Sequence, residues 1–141
     1  MSEIKLIQGG ISIDERGQIA HANDLDMNDA QRFYVIQNAS TEVIRAWHAH
    51  QHEKKWYTCL KGSFTMAFVK IDDWENPSPD LVPEVYQLSA ENSQVICVPE
   101  GYAGGLKANE EGSILLVLSS KRIPEALQDS WRYDKHMWMK W

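Results

Sequence analysis

Three histidines occupy alternate positions in one short segment of the chain. His48, His50 and His52 lie at i, i+2 and i+4, and in a β-strand this spacing directs side chains to one face. Imidazoles are costly to bury unless they form hydrogen bonds or bind a ligand. The segment therefore fits three kinds of site: a surface or hydrogen-bonded cluster, a metal centre, or a metal-free site in which a neutral histidine takes up a proton.

Short β-like segments separated by turn residues must position these histidines. They are rich in β-branched and aromatic residues, and their spacing is typical of a β-sandwich or barrel. A long polar loop is predicted over 72–83, and a helical pattern appears only over 124–135. The sequence predicts one all-β domain over residues 1–141 with a short helical or irregular C-terminal tail. Its predicted strands are 4–8, 11–13, 32–37, 42–49, 55–60, 63–71, 85–88, 94–98 and 113–118.

Composition excludes several classes of protein. The chain has 141 residues, of which 43% are hydrophobic and 24% are charged, as in an average globular protein. No charge-free run approaches the roughly 20 residues that a membrane-spanning helix needs, and the N-terminus lacks the apolar core of a signal peptide. The net charge is −6, and no long basic run offsets it. We therefore expect a cytoplasmic protein that binds neither membrane nor nucleic acid.

The histidine segment and a later turn together carry a resemblance to a known architecture. After His-x-His, Lys55 and Gly62 stand where the first motif of the cupin barrels has a metal-binding Glu and a Gly. Residues 99–101 (Pro-Glu-Gly) resemble the second cupin motif, in which a metal-binding His follows, but Gly104 stands at that position. This resemblance implies a cupin fold, which is a double-stranded β-helix or jelly-roll barrel.

The departures from the cupin motifs favour a metal-free site. Two of the four expected ligands are absent, and the cation of Lys55 would repel a divalent metal. Glu53 is a conceivable substitute ligand, but it lies at a different offset from His50. We therefore expect neither a metal nor another cofactor. A metal-dependent cupin that uses His48, His50 and either His52 or Glu53 remains an alternative.

Four further motifs, spread over roughly residues 13 to 120, narrow the resemblance. Residues 45–48 (Arg-Ala-Trp-His), 98–103 (Val-Pro-Glu-Gly-Tyr-Ala) and 14–17 (Asp-Glu-Arg-Gly) are similar to Arg-Gly-x-His, Pro-Glu-Gly-Phe-Ala and Asp-x-Arg-Gly motifs of one enzyme family. That family is the nucleotide-diphospho-4-keto-6-deoxysugar 3,5-epimerases. Residues 31–36 (Gln-Arg-Phe-Tyr-Val-Ile), followed by 45–50, resemble the Lys-Arg-x-Tyr-Tyr-Ile and Arg-Gly-x-His-Ala-His motifs of the shorter sugar 3,4-ketoisomerases.

This resemblance implies an isomerase whose substrate is a small-molecule nucleotide sugar. Such an enzyme removes an acidic proton from a carbon beside the ketone and returns a proton to the other face or to the neighbouring oxygen. We assign His48 as the base and His50 as its orienting partner or a second proton carrier. The epimerase tyrosine that donates from the opposite face is missing at 116–118. Tyr102 is therefore our candidate for the second catalytic group, and Tyr57 could also substitute.

Five residues are predicted to bind this substrate. Its diphosphate and its enolate are negative, which favours cationic side chains around them. Arg45 lies three residues before His48, so on a straight strand its side chain would point to the opposite face. A bulge or bend must therefore turn it toward the same pocket. The predicted set is Arg16, Arg45, Trp47, Lys55 and Tyr57, with Trp131, Tyr133 and Trp138 as candidates for stacking on the nucleotide base.

A non-catalytic cupin that binds a sugar or a nucleotide is the main alternative to an enzyme. The missing tyrosine favours such a binding protein, whereas the Arg-x-x-His motif at 45–48 favours the enzyme. The resemblance also implies a homodimer and a role in the biosynthesis of sugars for surface polysaccharides.

Overall fold

The computed structural model describes residues 3–141, in which most of the regular structure is β-strand. Short runs of β-branched and aromatic residues form these strands because their side chains fit a pleated, half-buried surface. The elements, in chain order, are β1 Lys5–Gln8, β2 Gly10–Asp14, β3 Gly17–His21, β4 Arg32–Ile36, β5 Ile44–Ala49, β6 Lys55–Lys61, β7 Ser63–Lys70, β8 Glu84–Ser89, β9 Gln94–Val98, β10 Tyr102–Ala108, β11 Ile114–Ser119, α1 Glu125–Gln128 and β12 Trp131–Arg132.

Two five-stranded antiparallel sheets form the body of the protein. The first has the order β1-β9-β6-β11-β4 and the second the order β12-β5-β10-β7-β8, whereas β2 and β3 form a separate hairpin. Side chains of both sheets, among them Ile96 and Leu115 from the first and Phe64 and Phe68 from the second, pack into one buried cluster. The sheets therefore lie face to face. The prediction of an all-β protein is confirmed.

Strand β11 shows how the first sheet divides its two faces. Leu115, Val117 and Ser119 are buried, and the residues between them are half-buried, because side chains alternate across a strand. Val117 pairs with Tyr34 of β4 on one side and with Tyr57 of β6 on the other. Directly paired residues share a face, so both tyrosines are directed toward the second sheet.

Strand β10 is an element that the sequence pattern does not predict. Gly104 and Gly105 interrupt its apolar run, and glycine is unfavourable within a strand unless another group approaches closely. Such an approach exists, because a Cβ atom added at Gly105 would lie 2.6 Å from the Trp141 ring and 2.9 Å from Ala46 Cβ. The two glycines therefore allow β10 to lie between β5 and β7 at the centre of the second sheet.

The C-terminal segment corrects the prediction of a helix over 124–135. The helix α1 covers only Glu125–Gln128, and β12 then extends the second sheet by pairing with Ala49 and His48 of β5. Beyond β12, aromatic side chains pack on the outer face of this sheet around the buried Trp47. Strand pairing and apolar packing outweigh a weak local preference for helix.

Two other expectations concern irregular and membrane-spanning structure. The polar segment 72–83 connects β7 to β8 without a helix or strand, as predicted. Among residues 3–141, none of the helices is long and apolar enough to cross a membrane.

Candidate active site

A cavity of about 850 Å³ lies between the sheets, beside β5. Side chains of β4, β5, β6, β7 and β10 form its wall, and the segment containing α1 and β12 closes one side. The structure brings six of the predicted site residues together here, namely Arg45, Trp47, His48, His50, Lys55 and Tyr57. The cavity therefore combines imidazole groups, cations and phenolic hydroxyls in one place.

His48 and His50 project from β5 as a pair. Their ring centroids lie 4.5 Å apart, as alternate positions in a strand require. His48 Nε2 lies 2.8 Å from Ser130 Oγ. His50 Nδ1 lies 2.5 Å from the Asp129 carbonyl oxygen, which can only accept, so Nδ1 is the donor. Both imidazoles are thus held by the C-terminal segment.

The third histidine of the segment does not join the pair. β5 ends at Ala49, and the chain turns before His52, whose side chain is exposed. The Asp129 carboxylate fixes this turn by accepting hydrogen bonds from the backbone N–H groups of Gln51 and His52, at 2.9 and 2.8 Å. The strand spacing that relates the first two histidines therefore does not extend to the third.

The environment keeps both paired histidines neutral. Burial lowers the pKa of His48 from 6.5 to about 3, and a proton on His50 and the charges of Lys55 and Arg132 would each act in the same direction. Burial, followed by the charge of Lys55, also lowers the pKa of His50, although Glu53 and Asp129 oppose this shift. At neutral pH each ring therefore has one nitrogen with a free lone pair that can accept a proton or a hydrogen bond.

Lys55 retains its positive charge within the site. Burial alone would lower its pKa, but the oxygens of Tyr57 and Tyr34 and the carboxylate of Glu53 together raise the pKa above its usual value. Burial raises the pKa of the Tyr57 hydroxyl strongly, so that hydroxyl remains protonated. The site thus presents an ammonium group beside neutral imidazoles and phenols.

A bulge turns Arg45 toward the same cavity as His48. Gly104 of β10 pairs with His48, but Leu106 pairs with Arg45, so β5 advances three residues where β10 advances two. This extra residue reverses the side-chain alternation. Arg45 lines the cavity and donates from Nε to Asn38 Oδ1 at 2.6 Å. The bulge that Arg45 needs in order to share a pocket with His48 is therefore present.

Three cavity residues were missed by the sequence reasoning. Tyr34 lies on β4, where Arg32 and Lys55 approach its ring at 4.9 and 5.8 Å from the centroid. Arg132 reaches the cavity from β12, within the segment that was predicted to be helical. Two signals in the sequence could have identified Tyr34: it lies within the ketoisomerase-like motif at 31–36, and the alternating pattern of β4 directs its side chain inward. No sequence pattern indicated Arg132.

Three predicted site residues differ from the others in position or exposure. Arg16 lies in the turn between β2 and β3, where its side chain is 81% exposed and pairs with Asp14 at 2.6 Å, because an Asp two residues earlier can hold it locally. Trp47 is 1% exposed, and its indole N–H donates to the Met137 carbonyl at 2.7 Å. Trp47 contributes to the wall, and its indole packs among the aromatic side chains on the outer face of the second sheet, so its substrate-binding role remains a prediction.

Tyr102 is the third of these residues. It borders a small enclosed space behind the histidine pair and does not line the 850 Å³ cavity. Burial, followed by Glu84 and Glu3, raises its pKa, and the backbone of Ile4 hydrogen-bonds to its hydroxyl. The phenols that line the cavity therefore belong to Tyr34 and Tyr57. The candidates for base stacking, Trp131, Tyr133 and Trp138, belong to the aromatic cluster on the outer face of the second sheet.

Metal binding was expected to be absent. Within the described part of the chain, no three His, Cys, Asp or Glu side chains converge in an arrangement that could hold a metal ion. The ammonium of Lys55 lies 3.2 Å from His50 Nε2 and 3.4 Å from the Glu53 carboxylate. The imidazole of His50 and the carboxylate of Glu53, which could otherwise bind a metal, thus already lie next to the Lys55 cation. Metal independence remains a prediction.

Gly104 borders the cavity beside His48, with which it pairs on the neighbouring strand. A Cβ atom added there would lie 3.3 Å from the Phe68 ring and 3.7 Å from the Tyr57 hydroxyl. At this position the cupin motif has a metal-binding histidine, and here the backbone itself borders the cavity.

Two facing antiparallel sheets around a cavity lined with imidazoles and cations define a barrel protein of the cupin type. Residues 2–137 match the family model "FdtA: WxcM-like, C-terminal", and the chain belongs to this family. No curated protein matches the chain.

Solved structures confirm the fold. A sugar 3,4-ketoisomerase from Thermoanaerobacterium thermosaccharolyticum, QdtA, in complex with TDP is 22% identical, with a TM-score of 0.72 over 96% of this chain and 91% of that chain. A 3,4-ketoisomerase from Helicobacter canadensis is 16% identical, with a TM-score of 0.72 over 98% and 96%. The rmlC epimerase of Mycobacterium tuberculosis is 21% identical, with a TM-score of 0.78 over 98% and 74%.

Proposed function

We propose that this protein is a metal-independent isomerase of a nucleotide-diphospho-4-keto-6-deoxysugar, either an epimerase or a 3,4-ketoisomerase. The observation that carries the proposal is a neutral imidazole, His48, at a cavity whose wall also holds several cations. A neutral imidazole can accept a proton from carbon, and cations stabilise both an enolate and a diphosphate. The solved neighbours include an enzyme in complex with TDP-4-keto-6-deoxyglucose and one in complex with dTDP-4-keto-L-rhamnose.

In the proposed reaction, His48 removes a proton from a carbon beside the ketone. The electron pair of the broken C–H bond forms the enolate double bond, and the carbonyl electrons move onto oxygen. Lys55 stabilises that oxygen as a buried cation. An epimerase then returns a proton to the opposite face of the same carbon. A ketoisomerase transfers the hydroxyl proton of the neighbouring carbon to the enolate oxygen and protonates the original carbonyl carbon.

The phenols of Tyr34 and Tyr57 are the proposed proton donors. They flank Val117 on adjacent strands, whereas the epimerase-like enzymes have a tyrosine near that position of the central strand. Both residues line the cavity, and burial keeps the Tyr57 hydroxyl protonated. A neighbouring strand can thus supply the group that β11 lacks.

Deuterium uptake tests the proposed function directly. We expect the protein, incubated in D2O with dTDP-4-keto-6-deoxyglucose and related 4-ketosugars, to place solvent deuterium on carbon in at least one of them, as detected by NMR and mass spectrometry. His48→Ala should remove this exchange while preserving the fold, because it removes the base and no core packing. Binding of the nucleotide sugar without exchange would instead support the non-catalytic binding protein.

Elemental analysis of the same active preparation tests metal independence. We expect less than stoichiometric iron, manganese or zinc and full activity after treatment with a chelator. Stoichiometric metal whose removal abolishes exchange would support the metal-dependent cupin. We also propose that the protein acts in the cytoplasm as a homodimer and contributes to the synthesis of surface-polysaccharide sugars, in keeping with the resemblance described above.

A further inference from the structure

The carboxylate of Glu53 is sealed beneath the histidine pair. Its side chain is 0% exposed, and a buried carboxylate is costly unless it is paired and hydrogen-bonded. Oε1 accepts a hydrogen bond from Ser119 Oγ at 2.7 Å and lies 3.5 Å from Arg32 Nη2. Oε2 receives no hydrogen bond, yet it lies 3.1 Å from His50 Nε2 and 3.4 Å from Lys55 Nζ. One oxygen of this carboxylate therefore remains available to the site.

His50 Nε2 lies between a donor and an acceptor. Since Nδ1 donates to the Asp129 carbonyl, Nε2 of the neutral ring has a lone pair, which can accept a hydrogen bond from Lys55 Nζ at 3.2 Å. A proton added to Nε2 would eliminate that bond, but the new N–H could donate to Glu53 Oε2. The ring can thus change protonation state without rotating, because it exchanges one partner for the other.

We propose that Glu53 is a positioning residue for the proposed reaction: it holds Lys55 in the site and stabilises protonated His50 by accepting a hydrogen bond from Nε2–H. This role rests on the proposed function, but the electrostatic coupling does not. His50 then serves as a second proton carrier beside His48, and Glu53 provides the counter-charge that a buried imidazolium requires.

The charges around His50 determine the direction of each test. Lys55 on β6 faces His50 and opposes its protonation, and neutral His48 lies beside it on β5. Arg32 on β4 and Arg132 on β12 lie beyond Glu53 and His48 respectively. Glu53 and Asp129 favour protonation. Removing the charge of Glu53 must therefore lower the pKa of His50, and removing the charge of Lys55 must raise it.

Histidine-selective NMR titration of the whole protein measures this coupling without substrate. We expect Glu53→Gln to lower the pKa of His50 by about one unit and Lys55→Met to raise it, whereas Glu91→Gln, a change at an exposed turn residue, leaves it unchanged. Far-UV circular dichroism checks the fold of each variant. In activity assays, Glu53→Gln should reduce kcat about tenfold and change KM less, and Glu53→Asp should restore part of the loss.

The outcomes separate this proposal from the proposed function. An unchanged His50 pKa in folded Glu53→Gln would overturn the role of Glu53, even if the wild-type protein isomerises a ketosugar. Opposite shifts in the two variants would support the coupling even if no deuterium exchange occurred. If Glu53→Gln does not fold, Lys55→Met decides alone: a raised pKa supports the proposal, and an unchanged or lowered pKa refutes it.

Discussion

At the scale of single residues, the surroundings of His48 define the kind of base it can be. Burial and the nearby positive charges of Lys55 and Arg132 keep the ring neutral, so the free protein needs no deprotonation step before it accepts a proton. The same low pKa makes the ring a weak base, and the proposed reaction would then depend on stabilising the enolate oxygen. The cation of Lys55 beside the ring meets that requirement.

The pH dependence of kcat/KM should report this neutral state. A lowered pKa means that the active, neutral form of His48 is present above about pH 3 and is lost only as the pH falls through that value. We therefore expect kcat/KM to remain constant from about pH 7 down to pH 5, with circular dichroism confirming the fold at each pH. A decline centred near 6.5 would show that the base has an ordinary histidine pKa.

Ser130 offers a second test at this scale. Its hydroxyl, 2.8 Å from His48 Nε2, orients the imidazole from a segment that is distant in sequence. Ser130→Ala should reduce kcat roughly tenfold by removing one hydrogen bond of about 1 kcal/mol or slightly more, while the melting temperature changes little. Ser12→Ala, at an exposed position of the hairpin, is the matched control. Equal kcat in the two variants would show that the contact has no role in turnover.

At the scale of elements, β5 and β12 create the site between them. The bulge in β5 turns Arg45 inward, and β12 brings Ser130 and Arg132 to the histidines. Residue spacing within β5 predicted the neighbouring His48 and His50, and the position of Arg45 three residues before His48 predicted the bulge. The contribution of β12 could not be predicted, because it depends on a strand pairing between segments about eighty residues apart.

The same limit explains two of the errors in the element predictions, whereas the third is strand β3 (Gly17–His21), which the sequence pattern also did not predict. β10 contains two adjacent glycines that weaken a strand pattern, and they are tolerated only because Trp141 and Ala46 approach them. Segment 124–135 has a local helical pattern, but half of it is fixed by β5 and by aromatic packing. In both places tertiary contacts that are absent from local sequence decide the structure.

Asp129 should be the residue that secures β12 to the turn after β5. Its carboxylate accepts two backbone hydrogen bonds, so Asp129→Ala leaves two N–H groups without that partner. We expect a loss of about 1–3 kcal/mol in unfolding free energy, together with faster hydrogen exchange at the amides of Gln51 and His52. Asp80→Ala, in the exposed loop 72–83, is the control. Unchanged exchange at both amides would contradict this role.

At the scale of the whole molecule, apolar side chains remain exposed on two elements outside the barrel core. Ile13 and Ile19 of the β2–β3 hairpin are 76% and 66% exposed, and Phe33 of the edge strand β4 is 68% exposed. Exposed apolar surface and an open strand edge are features that association between subunits can cover. Composition predicted the globular class of the chain, but it contains no information on where such surfaces lie.

The proposed homodimer can be tested through this hairpin. Replacing Ile13 and Ile19, which lie on opposite faces of the hairpin, with Asp should shift the protein from dimer to monomer in light scattering at micromolar concentration, because charges would then occupy apolar surface that a dimer contact needs to desolvate. Val82→Asp provides the control at a residue that is 85% exposed in a loop. A variant hairpin that leaves the mass unchanged, or a wild-type protein that is monomeric, would refute the use of this surface.

The absence of a side chain at Gly104 has a consequence for ligand size. Because bare backbone borders the chamber beside His48, and an added methyl would lie 3.3 Å from the Phe68 ring, any side chain at this position would reduce the space next to the histidine pair. Larger side chains there should narrow it further, so a series from alanine to valine would measure how large a ligand the chamber admits. Position 104 thus allows the size of the chamber to be varied without replacing a charged residue.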